Sequence, residues 1–218
     1  MTTLFVKAVG DWVLEVLGVP FGGPFNGKDA DGEYFSSRSN LHADKYPAIP
    51  AVYYHGLDAD GRPKGKPEYI GKAEFVEIRT DGAWYQVVLD KANEYAKRVW
   101  EAAKKKTARA SSGSIPQLVR IAADGHIDEW PVAEMTLLDA EKWRQPVNNY
   151  AVVVPMMKSI YEKAGIVMPD FGEPEAEGGA GSMELDPAKA ANQDGNDDPS
   201  AISTLQIKAR AYLLTDGE

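Results

Sequence analysis

The sequence predicts a strand-rich α+β fold, a β-barrel or sandwich with few helices on it, followed by a flexible acidic tail. Three observations lead there. Short runs of β-branched and aromatic residues recur between Gly, Asp and Pro turn signals through the first two thirds of the 218 residues. Only one strong helical period lies within that region. The composition then changes sharply after Pro169, where Gly178-Gly179-Ala180-Gly181 and the stretch 192–200 lack the apolar residues that would bury a core.

The elements follow in chain order. Residues 1–19 read as extended, through Leu4-Phe5-Val6 and Trp12 to Leu17. Residues 18–29 are dense in Gly, Pro and Asn and read as a loop. Residues 47–55 read as a buried strand with prolines at its entry. Segments 68–77 and 83–89 form an alternating pair across the tight-turn signal Thr80-Asp81-Gly82. Residues 91–106 are the clearest helix: Ala92, Tyr95, Val99 and Ala103 recur at helical spacing, and Lys104 to Lys106 suit the negative end of its dipole. A second hairpin is expected between 114–122 and 127–138 across Ala123 to His126. A second helix is expected over 155–164, ended by Gly165. A short amphipathic helix is expected at 201–214. The organisation expected is one domain over 1–168 and a tail over 169–218.

Composition narrows the function. Eleven of the 33 acidic residues but only three of the 24 basic ones fall between Asp170 and Glu218, so the tail holds nearly all of the net charge of −9. The remainder is close to neutral, without the basic face that nucleic acid requires. No apolar run approaches the roughly 20 residues of a membrane span, and no basic-then-apolar leader opens the chain, so neither membrane nor signal peptide is expected. With no cysteine, thiol catalysis, disulfides and Cys-ligated zinc are excluded. No phosphate loop, nucleotide fingerprint or His-Glu-x-x-His motif is present, and no cofactor or metal is expected.

The chemistry-bearing stretch is Arg109-Ala110-Ser111-Ser112-Gly113-Ser114-Ile115-Pro116, three hydroxyls around one glycine after a basic helix. A serine becomes a useful nucleophile only beside a base, and a neutral imidazole oriented by a third polar group supplies one. Of three histidines, His55 ends an apolar strand, whereas His42 lies in a polar loop and His126 in a hairpin turn, both as bystanders. Glu134 lies within the apolar strand Val132 to Leu138. Strand alternation puts Ser112 and Ser114 on one face and Ser111 on the other, so Ser112 and Ser114 remain rivals to Ser111.

The ordered set of motifs resembles the prohead proteases of tailed bacteriophages, capsid-maturation enzymes related to the herpesvirus assemblin proteases. Its residues are Asp29 to Phe35, Pro50 to Gly56 with His55, Tyr69-Ile70-Gly71, Arg109 to Pro116 and Trp130 to Leu137. The resemblance implies a herpesvirus-protease-like β-barrel with surrounding helices, acting as a homodimer. It implies Ser111 as nucleophile, His55 as base and Glu134 as third member. It further implies cleavage of phage scaffold and major capsid proteins, and of the chain's own tail, inside the procapsid in the host cytoplasm. Two other readings stand beside it. One is a catalytically inactive protease-like scaffold or assembly module. The other is a binding module whose aromatics Tyr53, Tyr54, Trp84, Tyr85 and Trp130 line a groove.

Overall fold

A computed structural model describes residues 6–29, 31–54, 67–139, 152–153 and 158–168. The tail with its expected helix at 201–214, and His55, lie outside the described residues. The chain forms β1 (Val6–Gly10), β2 (Val13–Pro20), β3 (Ala48–Tyr53), β4 (Glu68–Arg79), β5 (Gly82–Leu89), α1 (Glu94–Lys104), β6 (Arg109–Ser114), β7 (Arg120–Ile121), β8 (Ile127–Glu129), β9 (Val132–Leu138), β10 (Val152–Val153) and α2 (Lys158–Lys163). Eight strands make one sheet in the order β1-β2-β5-β4-β3-β9-β6-β10, and β7 pairs only with β8. The sheet curls into a half-barrel that brings β2 toward β6.

The interior follows from alternation. Ala83, Tyr85, Val87 and Leu89 of β5 face inward, with Leu14 and Val16 of β2, Ile49 and Ala51 of β3, and Met135 and Leu137 of β9. A Cβ on Gly18 would stand 2.3 Å from Met135 Cε, so glycine lets β2 approach β9 across the curl. Tyr85 and Trp130 belong to this core and Trp84 is buried, which removes them from any ligand groove.

The helix expected over 91–106 spans Glu94–Lys104, because it begins where its cap allows. Asn93 Oδ1 accepts the Tyr95 and Ala96 N–H groups, while its Nδ2 donates to Glu68 Oε1 and the Tyr69 carbonyl, pinning the helix start to β4. Ala96, Val99, Ala102 and Ala103 form the buried stripe, and Trp100 stacks on Trp12 with ring centroids 5.6 Å apart.

The expected second hairpin is corrected. The strand expected over 114–122 lies instead over 109–114, antiparallel to β9, so Ser111 and Ser112 as well as Ser114 fall within β6. Pro116 has no N–H to continue the ladder, and a short 3-10 turn follows at Pro116–Leu118. Residues 120–129 then form a separate small hairpin. Within α2, Lys163 is the last helical residue and Gly165, at φ 65°, turns the chain out.

Two predictions arise from the sheet. A Cβ on Gly71 would meet the Val88 carbonyl oxygen at 2.3 Å, a backbone atom that cannot swing aside. Gly71→Ala should therefore cost about 1–3 kcal/mol in denaturant unfolding, despite alanine's better strand propensity. A second prediction concerns Glu15 on β2, which accepts from Arg79 Nη2 at 2.8 Å and from Lys7 Nζ at 3.2 Å. Burial pushes its carboxyl up, but these bonds and charges outweigh it and hold it below the usual 4.5. A depressed folded-state value adds stability above the unfolded value, and that stability is lost as pH falls through the folded one. Glu15→Gln should lower stability by about 0.2–1 kcal/mol near neutral pH, with the difference vanishing in acid when thermal melts are compared.

Candidate active site

Sheet topology decides which residues meet. β3 runs parallel to β9, and β6 runs antiparallel to β9, so the C-terminal ends of β3 and β9 and the N-terminal end of β6 share one edge. Val52, Thr136 and Ser111 form one row across three strands, and Gly113 stands opposite Glu134. Directly opposed residues point to the same face, so Ser111 lies on the face of Thr136 and Glu134. Thr136 Oγ1 donates to Glu134 Oε1 at 3.0 Å. His55 follows β3 by two residues at this same edge in chain order, and its own placement lies outside the described residues.

The three hydroxyls separate by what they touch. Ser112 Oγ accepts the Trp130 indole N–H at 3.2 Å, and Ser114 Oγ donates to the Pro131 carbonyl at 2.7 Å. Both are bound into the structure. Ser111 Oγ has a 3.5 Å approach to the Ser112 carbonyl, at the outer limit of a hydrogen bond. Ser111 is 3 % exposed and Glu134 6 %, so this row is shielded from water. Glu134 occupies a central strand between β3 and β6 rather than a solvent edge. Tyr161 of α2 donates to the Ala133 carbonyl at 2.6 Å. Burial, and then the Glu134 charge, push the Tyr161 hydroxyl well above its usual value.

A polar cluster closes the same edge. Asp139 accepts from Tyr53 at 3.1 Å, from Tyr54 at 2.9 Å and from Arg98 Nη2 at 2.5 Å. Tyr54 is left-handed at φ 53°, a conformation unusual outside glycine and Asn, and its bond to Asp139 holds it there. Burial, then the Asp139 carboxylate, raise the Tyr53 hydroxyl above its ordinary range, so it stays a donor. Sequence reasoning missed this cluster, because Tyr53 of β3, Arg98 of α1 and Asp139, just past β9, are far apart along the chain.

Arg109 Nη1 donates to the Thr107 and Ala108 carbonyls, and Arg144 is outside the described residues. Asp29, Asp31 and Glu33 each place a carboxylate oxygen within 4.8 Å of the others. Asp29 Oδ1 already accepts the Asp31 and Glu33 N–H groups, which makes the group a turn built on its own backbone. His42 is paired with Glu129 at 2.6 Å, and His126 is buried rather than turned to solvent.

No family model, curated protein or solved structure matches this chain.

Proposed function

We propose that the chain is a serine endopeptidase of the prohead-maturation type, with Ser111 as nucleophile, His55 as general base and Glu134 as the group that orients the imidazole. The supporting observation is the shared face of Ser111 and Glu134 on adjacent strands, at the edge where β3 leads on to His55, with both rival hydroxyls bound elsewhere. In this reading His55 takes the Ser111 proton as Oγ attacks a peptide carbonyl, then returns it to the departing amine. Water hydrolyses the acyl-Ser111 ester by the same path in reverse. A carboxylate within the sheet holds the imidazolium more strongly than one in water.

The substrates proposed are phage scaffold and major capsid protein segments and the chain's own acidic tail, cut by a homodimer inside the procapsid in the host cytoplasm. The fold proposed is a herpesvirus-protease-like barrel, of which the curled sheet is the coarse form. The burial of Ser111 sets a condition on turnover: the covering chain must move before a substrate strand reaches the hydroxyl. That same burial favours a second reading, a catalytically inactive protease-like assembly module.

Co-expression with a phage scaffold protein, read by intact-mass spectrometry, separates the two. The peptidase reading expects a shortened scaffold with the wild-type chain, an intact one with Ser111→Ala, and slowed trimming with Glu134→Gln. Intact scaffold and untrimmed tail in every case would leave the assembly-module reading.

A further inference from the structure

We propose that Ser36, His126 and Asp128 form a second hydroxyl-activating array, separate from the Ser111 row, that accepts acyl or phosphonyl groups on Ser36. His126 Nε2 lies 2.7 Å from Ser36 Oγ, and His126 Nδ1 lies 2.7 Å from Asp128 Oδ1. The bonds assign the proton positions. The Arg38 N–H donates to Ser36 Oγ at 3.2 Å, filling one of its lone pairs. The Asp128 carboxylate only accepts, so the hydrogen of a neutral ring sits on Nδ1 and the Nε2 lone pair takes the Ser36 O–H. This is the polarity that activates a serine.

The array is more than a fastener for the loop. Backbone bonds already join residues 34–40 to the β7–β8 hairpin. Tyr34 donates to the Gly125 carbonyl and Ile127 to the Tyr34 carbonyl, each at 2.9 Å; Asn40 donates to the Asp128 carbonyl at 2.8 Å and Trp130 to the Asn40 carbonyl at 2.9 Å. The serine is held as well: Ser39 N–H donates to the Ser36 carbonyl at 3.0 Å, and Ser36 N–H to Ser39 Oγ at 3.1 Å. The His126 backbone N–H donates to Asp124 Oδ1 at 3.0 Å, and the Tyr34 ring packs edge-on to the imidazole with centroids 5.1 Å apart. His126 is buried, yet Ser36 is only half-buried and the Asp128 side chain is 56 % exposed, so the array reaches solvent at both ends.

The chemistry balances on these groups. Ser36 Oγ attacks an electrophilic carbonyl or phosphorus, its proton passes to Nε2, and Asp128 stabilises the imidazolium. A phenolate or fluoride departs and the proton is released to water, leaving Ser36 acylated or phosphonylated. The Arg38 N–H is bonded to the attacking oxygen itself and is not aimed at the oxyanion that would develop on the substrate. With that donor committed to the nucleophile, the site suits aryl esters and similar compounds with good leaving groups rather than peptides.

A fluorophosphonate probe applied to Ser111→Ala protein, followed by trypsin and fragment sequencing, tests this. Cleavage after Arg38 puts Ser36 and Ser37 in peptide 29–38 and Ser39 in peptide 39–45. The adduct is expected on Ser36, absent in Ser36→Ala, and formed about tenfold or more slowly in Asp128→Asn, whose exposed side chain can change without disturbing the fold. A folded protein, by circular dichroism, that carries no adduct on Ser36, or labels equally fast as Asp128→Asn, overturns the proposal. The residue that carries the adduct keeps this result distinct from the fate of Ser111.

Discussion

Ser111→Ala is expected to remove the fluorophosphonate adduct from the tryptic peptide spanning residues 110–120 and to reduce peptide cleavage by about a thousandfold or more. The size follows from the proposed role of Ser111 as nucleophile. Without Oγ no acyl-enzyme forms, and what remains is whatever binding and carbonyl polarisation the site retains. The peptide also contains Ser112 and Ser114, which makes the experiment discriminating. The hydroxyl of Ser112 accepts the Trp130 indole N–H and that of Ser114 donates to the Pro131 carbonyl, so neither should label. Persistence of the adduct in Ser111→Ala on either neighbour would transfer the nucleophile's role to that residue. A folded wild-type protein with no adduct at 111, 112 or 114 would remove the peptidase reading. Because Ser111 is buried, labelling should be slow and should accelerate under conditions that loosen its covering.

Trp130→Ala is expected to be the most destabilising single change, at about 3–5 kcal/mol in denaturant unfolding. Trp130 is 1 % exposed, meets the Phe35 ring edge-on at 5.4 Å and donates to Ser112 Oγ. Its removal leaves a large void between the loop before β3 and the β6–β9 pair, and strands the Ser112 hydroxyl as well. Against a total of about 5–15 kcal/mol for an ordinary domain, that loss is a large fraction. Trp130→Phe retains most of the volume and should cost less than half as much, since it mainly deletes the indole N–H. Equal losses in the two variants would mean that the hydrogen bond, not the packing, dominates at this position.

Much of the fold is legible residue by residue. The β4–β5 hairpin follows from alternation on either side of Thr80-Asp81-Gly82, and α1 from its apolar spacing, although the Asn93 cap starts it at Glu94 rather than at the expected Lys91. The face separation of Ser111 from Ser112 and Ser114 follows from the period of two. The second hairpin is displaced, because the strand expected at 114–122 runs instead over Arg109–Ser114 and leaves only Arg120–Ile121 to pair with β8. Small hydroxyl residues carry little strand propensity, and only burial between β9 and β10 makes them a strand. Glu134 reads equally well as an edge residue. Its position in a central strand comes from the parallel pairing of β3 with β9, which no local pattern encodes.

His126 is the clearest case of the difference. A histidine after Asp-Gly in a turn is locally a solvent-facing residue. It becomes a buried ring bonded to Ser36 and Asp128 because the loop at 34–40 folds onto the hairpin some ninety residues later. By itself, the sequence determined the strand-rich class, the main helix, the scarcity of possible bases and the alternation within β6, all properties of near neighbours along the chain. Only the tertiary structure decided which hydroxyls are tied into the core and which carboxylate shares the face of Ser111. Register and strand order arise from contacts between distant segments, and their energies appear only once those segments pack together.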